Sequence, residues 1–271
     1  MEDEKPIIQF SHANGFPGSS YQQLYNLLRE YYHIDYIDAY AMEEEYQVTD
    51  NWHELTMELV DRIKQHQRPV IAVGHSLGGV LSLMAACKSP GIIKQVIMLD
   101  APYFAIHKRF GIKIMKLFDK THILTPGGRN VLSRRREWGT IQDVIEYMHS
   151  KTLFKGFAPE CLEDWAKYAT YEVSGKRRLK IDPEIEYKIY GTLPHIGMPR
   201  SILKQLDVTA VIGKETKIVD SIDQFMMKYF YGFKMHNVPG GHMFPFQYPR
   251  KTAELVHKII SDTQHEKELE E

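Results

Sequence analysis

The chain has 271 residues, 43% hydrophobic and 25% charged, which suits one large globular domain or a domain with an insert and excludes collagen, coiled coil and wholesale disorder. Thirty-four basic against thirty-five acidic side chains leave a net charge of −1, so no general attraction to nucleic acid or acidic membranes is expected, although a local patch is compatible with it. Two cysteines, Cys87 and Cys161, are too few for a disulfide scaffold and point to a reducing compartment. No apolar run reaches the roughly 18 residues that span a bilayer. The acidic start, Met1-Glu2-Asp3-Glu4-Lys5, lacks the basic flank and apolar stretch of a secretory signal. The expectation is a cytoplasmic protein without stable membrane insertion.

No internal repeat is evident. In chain order, Ile7 to Ser11 reads as a strand, Ser19 to Tyr31 as a helix with Tyr21, Leu24, Leu27 and Leu28 at helical spacing, and Ile34 to Asp38 as a strand. An acidic stretch (Glu43, Glu44, Glu45) precedes a helix marked by Trp52, Leu55, Leu59, Val60 and Ile63. Pro69 to Gly74 and Ile93 to Leu99 are continuous apolar strands of the kind buried on both faces of a parallel sheet, with a helix from Leu77 to Lys88 between them. The pattern returns with strands at Val208 to Gly213 and Phe233 to Val238, and helices at Ser221 to Phe230 and Tyr248 to Ile260. Gln264 to Glu271 is charged and expected to fray. Strand and helix in alternation predict an α/β fold, a mostly parallel twisted sheet flanked by helices. From about Ala101 to Leu206 no buried strand is apparent and helical patterns dominate, broken at Pro126-Gly127-Gly128, Gly139, Pro159 and Pro183. So long a stretch between two sheet strands is no plain loop. The expected organisation is a core of residues 1–101 and 207–271 with a helical cap, 102–206, inserted into it.

Val73-Gly74-His75-Ser76-Leu77-Gly78-Gly79 contains G-x-S-x-G between a buried strand and a helix. That context suits a sharp strand-to-helix turn that exposes a strained serine, the glycines removing Cβ atoms where strand and helix pack closely. The helix N-terminus then favours negative charge beside the serine. On these residues the chain resembles the α/β-hydrolase family over nearly its whole length. The resemblance implies a serine nucleophile at Ser76 and an oxyanion hole made by the N–H of Leu77 and one in the loop Phe10 to Gly18, where Asn14-Gly15-Phe16-Pro17 is similar to a common family motif and nominates Phe16. Of thirteen histidines, His242 in Pro239-Gly240-Gly241-His242 lies where the family places its base, between the last strand and the last helix. His75 reads as structural and His12 as bracing the loop.

The acid has two family locations. After the penultimate strand, Gly213-Lys214-Glu215-Thr216 puts threonine at the expected position, with Glu215 adjacent. After the strand that follows the nucleophile helix stands Asp100, 24 residues beyond Ser76. Asp100 is the preferred acid and Glu215 the alternative. Asn14, Tyr103, Trp138 and Met243 are candidate pocket residues, and Arg134 to Arg136 read as a solvated basic face. The expected activity is serine hydrolysis of carboxylic esters of small to medium acyl substrates through an acyl-enzyme. Thioesterase, amidase, C–C hydrolase and acyltransferase chemistry remain open, as does a ligand binder with little turnover. No metal or organic cofactor is expected, since there is no Cys/His cluster of zinc spacing, no P-loop and no dinucleotide glycine pattern. The expected partner is a small-molecule acyl substrate and not nucleic acid, for a monomer or homodimer.

Overall fold

A computed structural model describes residues 5–124 and 126–270. The acidic Met1 to Glu4 and the terminal Glu271 lie outside the described residues. Six strands form one sheet: β1 (Ile7–Ser11), β2 (His33–Tyr36), β3 (Val70–His75), β4 (Ile93–Leu99), β8 (Val208–Gly213) and β9 (Lys234–Val238), in the order β2-β1-β3-β4-β8-β9. Every neighbouring pair is parallel. The order reverses between β1 and β3, because the chain leaves β1 for β2 on one side and then crosses to β3 on the other. In open parallel sheets such a switch point opens a crevice at the carboxyl ends of the strands.

Period-2 alternation along the strands divides the core into two layers. Val70, Ala72, Val96, Met98, Ala210 and Ile212 face one side, under α2 (His53–Lys64) and α3 (Leu77–Lys88). Ile71, Val73, Ile97, Leu99 and Val211 face the other, under α1 (Gln22–Leu28) and α12 (Pro249–Glu270). The helix expected at Ser19 to Tyr31 is a 3-10 turn, Gly18–Tyr21, leading into α1. The one expected from Ser221 is α10 (Ser221–Phe225), which runs on as a π-helical turn, Met226–Tyr231. The last helix continues through the stretch expected to fray, as far as Glu270.

Between β4 and β8 lie α4 (Ile106–Leu117), α5 (Pro126–Asn130), α6 (Ile141–His149), α7 (Pro159–Tyr168), α8 (Pro183–Gly191) and α9 (Arg200–Leu203). The segment also holds strands that the sequence reading missed. β5 (Glu137–Trp138), β6 (Thr170–Val173) and β7 (Lys176–Leu179) form an antiparallel sheet of order β5-β7-β6. The turn between β6 and β7 is Ser174-Gly175, both at positive φ (52° and 74°), which is the two-residue connection that suits a hairpin's twist. After β9 a short helix, α11 (Phe244–Gln247), precedes α12.

Glu58 on α2 is buried and accepts the N–H of Ala41 (3.0 Å). Burial pushes its carboxyl up to about 7, although the Ala41 N–H opposes the shift. A folded-state value above the unfolded one means the native state holds the proton more tightly, so stability falls as pH rises from about 4.5 to 7. The Glu58→Gln variant is therefore expected to gain up to about 3 kcal/mol relative to wild type between pH 4.5 and pH 8. Urea denaturation at the two pH values checks this, and a constant difference refutes it.

Candidate active site

The turn between β3 and α3 sits at the switch point. Ser76 has φ 53° and ψ −116°, a left-handed φ that a serine adopts only under constraint from its surroundings. The constraint is visible. The Ser76 N–H donates to the Leu99 carbonyl of β4 (2.9 Å), and the N–H groups of Gly79 and Val80 donate to the Ser76 carbonyl. A Cβ at Gly74 would lie 2.3 Å from the Gly78 carbonyl, and one at Gly78 would lie 2.0 Å from the Ser11 carbonyl at the end of β1. Only glycine permits this approach of three backbone segments. Leu77 opens α3, so its N–H is one of the first-turn donors with no acceptor inside the helix.

Asp100 occupies the matching position after β4, also at positive φ (44°), and is fully buried. Its Oδ2 accepts from His242 Nδ1 (2.7 Å) and from Thr216 Oγ1 (2.5 Å), and its Oδ1 accepts from the Gly213 N–H (2.9 Å). Burial alone would raise this carboxyl. The hydrogen bonds from His242, Thr216 and Gly213, with the attraction of the imidazole, outweigh it and hold Asp100 below the usual carboxylate range. Thr216 therefore stands where the family's later acid would be and donates to the earlier one. Glu215 is exposed, and among the described residues it makes no bond to His242, so the structure does not bring this alternative to the imidazole.

His242 lies on the loop between β9 and α11, with a quarter of its side chain exposed. It shares a cavity of about 770 Å³ with Ser76, Leu77, Ala13 and Asn14. Such a volume is of small-molecule size. Among the described residues no hydrogen bond joins the Ser76 hydroxyl to His242; the two face the same space.

A buried relay connects the three loops. The Ala13 N–H donates to Tyr21 Oη (3.1 Å), Tyr21 Oη meets His75 Nδ1 (2.8 Å), and His75 Nε2 meets the His242 carbonyl (2.8 Å). A carbonyl only accepts, so His75 carries its proton on Nε2 and the Tyr21 hydroxyl donates to Nδ1. Burial, reinforced by the nearby His242, pushes His75 down to about 3, so it stays neutral and holds this tautomer. His75 points away from the cavity, as expected for a structural residue. His12 is also buried and pushed down to about 4 by burial, and its Nδ1 donates to the Ala13 carbonyl (2.8 Å).

The loop after β1 corrects one expectation. The Phe16 N–H donates to the Ala13 carbonyl (3.0 Å), closing a turn, so it is not free to meet a ligand. The Phe16 side chain packs against Phe154, Phe157, Trp165 and Phe246. Two donors, His12 Nδ1 and the Phe16 N–H, pin the Ala13 carbonyl. In a planar trans peptide the next N–H points the opposite way. That group belongs to Asn14, which lines the cavity, and no described residue accepts from it.

Tyr103 and Met243 line the cavity, and Asn14 donates its side-chain amide to the Glu186 carbonyl (3.0 Å). Trp138 does not line it. Its ring is buried on β5, edge-on to Tyr147 and beneath the Arg135 guanidinium. Arg134 also departs from the expected basic face. It turns into the cavity wall and pairs with the buried carboxylate of Glu186, beside Tyr190, whereas Arg135 and Arg136 stay exposed. Among the described residues no group of three or more His, Cys, Asp or Glu is placed to hold a metal ion.

A model of the alpha/beta hydrolase family matches residues 10–255, and the chain belongs to that family. It is 23% identical over 147 residues to human monoglyceride lipase, a match covering 49% of this chain and 48% of the lipase, so the chain spans about half the length of that relative. Two solved structures share the fold. E-2-(acetamidomethylene)succinate hydrolase superposes with a TM-score of 0.73 at 17% identity, covering 95% of this chain and 92% of its own. The thioesterase domain from the curacin biosynthetic pathway gives 0.71 at 19% identity, covering 94% and 92%.

The glycine contacts define a stability test. Gly78→Ala would drive a methyl group into the Ser11 carbonyl, where neither backbone can yield cheaply, and is expected to destabilise the fold by about 3 kcal/mol. Gly175→Ala, at an open hairpin turn, is expected to lose less than half of that despite its positive φ. Thermal unfolding of the two variants distinguishes them, and equal losses would refute the packing argument.

Proposed function

We propose that this protein is a serine hydrolase that cleaves carboxylic esters of small to medium acyl substrates. The observation that carries the reading is the 2.7 Å hydrogen bond from His242 Nδ1 to the buried, ionised Asp100, with the other edge of that imidazole in the cavity that Ser76 enters from its strained turn. In this reading residues 102–206 form a cap whose Tyr103, Phe154, Trp165 and Ile189 complete an apolar pocket for the acyl chain.

The chemistry follows from those positions. Nε2 of His242 takes the proton as Ser76 Oγ attacks the acyl carbon, once substrate closes the gap between them. Asp100 fixes the tautomer and stabilises the imidazolium. The Leu77 N–H and the Asn14 N–H are the oxyanion donors, Asn14 replacing Phe16 because the latter's N–H is spent on the turn. His242 then protonates the departing alcohol, and a water activated by the same imidazole releases the acid and restores Ser76. The human lipase relative acts on a glyceride by its name, which agrees with an ester substrate.

A fluorophosphonate should label the wild type at Ser76 and fail to label Ser76→Ala; an unlabelled wild type would favour a binder with little turnover. Asp100→Asn should lower hydrolysis of a p-nitrophenyl ester by about three to four orders of magnitude, while Glu215→Gln stays within about twofold. The reverse ranking would move the acid to the later loop. A screen of esters, thioesters and amides with the Ser76→Ala control sets the acyl class.

A further inference from the structure

The cavity beside Ser76 is walled mostly by apolar side chains, yet one end of it holds an ion pair that the proposed chemistry does not use. Arg134, just past the 3-10 turn Val131–Ser133, pairs with Glu186 on α8. Both line the cavity. The Glu186 side chain is 6% exposed and that of Arg134 21%. Taking two charges out of water is unfavourable unless further bonds satisfy their remaining donors and acceptors. Here those bonds are missing. The pair is joined through Arg134 Nη1 and Glu186 Oε2. Among the described residues nothing accepts from Arg134 Nε or Nη2, and nothing donates to Glu186 Oε1.

The pair also sits against the loop after β1. A Cβ on Gly15 would lie 2.7 Å from Glu186 Oε1, so the carboxylate rests directly on that glycine. The preceding residue is Asn14, whose side-chain amide donates to the Glu186 carbonyl (3.0 Å) and also holds the hydroxyl of Tyr190, one turn along α8. Open donors and an open acceptor therefore stand side by side, one residue from the backbone N–H assigned to the oxyanion. The cavity's other cations are engaged elsewhere. Arg109 lies over the Tyr103 ring and donates to Tyr231 Oη (3.2 Å), and Lys151 is exposed and lies over the Tyr147 ring.

We propose that Arg134 and Glu186 bind a hydroxyl on the alcohol half of the substrate, so that the site takes monoacyl esters of a neutral diol or polyol. The inference rests on the ester reading of the same site. A hydroxyl is donor and acceptor at once. It accepts from the guanidinium and donates to Glu186 Oε1, so one group satisfies both partners. A carboxylate or phosphate in its place could use only the guanidinium and would face Glu186, whose charge Arg134 already balances. An alkyl group would displace water from the pair and leave it unbonded. The other walls, with Phe154, Trp165 and Ile189, are apolar and suit the acyl chain, which leaves this end for the alcohol. The contact with Gly15, next to Asn14, puts the hydroxyl a few bonds from the ester oxygen, as in a vicinal diol.

The test compares three hexanoate esters of nearly one size: hydroxyethyl, propyl and carboxymethyl. Calorimetry on Ser76→Ala reads binding without turnover, and kcat/KM is measured on the wild type. The hydroxyethyl ester is expected to bind at least about tenfold tighter than the other two, as hydrogen bonds to charged groups do, with kcat/KM in the same order. Adding Arg134→Met and Glu186→Leu together to Ser76→Ala removes both charges and leaves neither buried alone. The ratio of hydroxyethyl to propyl affinity should then fall to about one. Glu186→Gln alone leaves the guanidinium unbalanced and should shift the ratio of carboxymethyl to hydroxyethyl affinity upward by at least about tenfold. A pair with only a structural role would lower the unfolding temperature of these variants and weaken all three esters together, and that result overturns the inference. Equal binding of the hydroxyethyl and propyl esters by Ser76→Ala overturns it as well, and tighter binding of the carboxymethyl ester would assign this end of the cavity to an anionic group instead. A hydroxyl preference in Ser76→Ala without hydrolysis by the wild type would uphold the pocket and remove the ester-cleaving reading alone.

Discussion

Gly78 has no side chain, and the position of everything else at the site depends on that. Its Cα packs against the Ser11 carbonyl so closely that a methyl group would lie 2.0 Å from the oxygen, and Gly74 packs against Gly78 in turn. The end of β1, the turn after β3 and the first turn of α3 therefore meet backbone to backbone. This happens where the strand order reverses, so the Asn14 and Leu77 backbones are brought to the crevice that a parallel sheet opens there. Ser76 is bent into left-handed φ by the same contact, because the chain must turn from strand to helix within one residue while still bonded to β4.

The polar groups around that turn are tied to one another and leave little freedom. A neutral His75 joins the loop of Ala13 to the loop of His242 through Tyr21, and its two nitrogens have fixed opposite roles. On the far side of the imidazole, Asp100 receives three donors besides being buried, which keeps it ionised in a place where burial alone would protonate it. The two halves are complementary: one sets where the His242 backbone sits, the other which way its ring points. A hydroxyl at Thr216 in place of a carboxylate fits this arrangement, since a second acid beside Asp100 would repel it and raise it.

The central sheet was legible because its strands are buried on both faces and read as unbroken apolar runs. The strands Ile7–Ser11, Ile93–Leu99 and Val208–Gly213 and the helix Leu77–Lys88 fall where the sequence pattern puts them. Ser76, His242 and Asp100 were nominated from their places relative to those strands, and the fold brings the histidine to the aspartate and to the serine's cavity. In the loop after β1, Gly-Phe-Pro drew attention to Phe16, whereas its N–H is spent on a turn to the Ala13 carbonyl and it is the Asn14 N–H from which no described residue accepts. The β6–β7 hairpin left a local trace in Ser174-Gly175 flanked by two short strands. Its residues are half exposed and heavily charged, so they lack the apolar run that made the central strands visible. Arg134 left no trace at all, for nothing in three consecutive arginines says that one of them meets a glutamate 52 residues later.

Helix α4 shows why a hydrophobic pattern alone stops short of a structure. Ile106, Phe110, Ile114 and Leu117 share one face as an apolar stripe, and any helix with such a stripe is expected to bury it, yet all four are exposed. Which way the helix rolls is decided instead by ion pairs of Lys108 and Lys116 to Asp50, Asp220 and Asp223, acids far away in sequence on either side of the segment. With those partners holding its cations inward, burying the stripe would require breaking at least two partly buried ion pairs and leaving Asp223, which has no solvent access, without its counterion. Removing one partner of such a pair is far more destabilising than exposing an apolar side chain. The outward stripe is thus the lower-energy arrangement for the isolated chain, and the helix's own sequence conceals it because the acids that pair with its lysines lie elsewhere in the sequence.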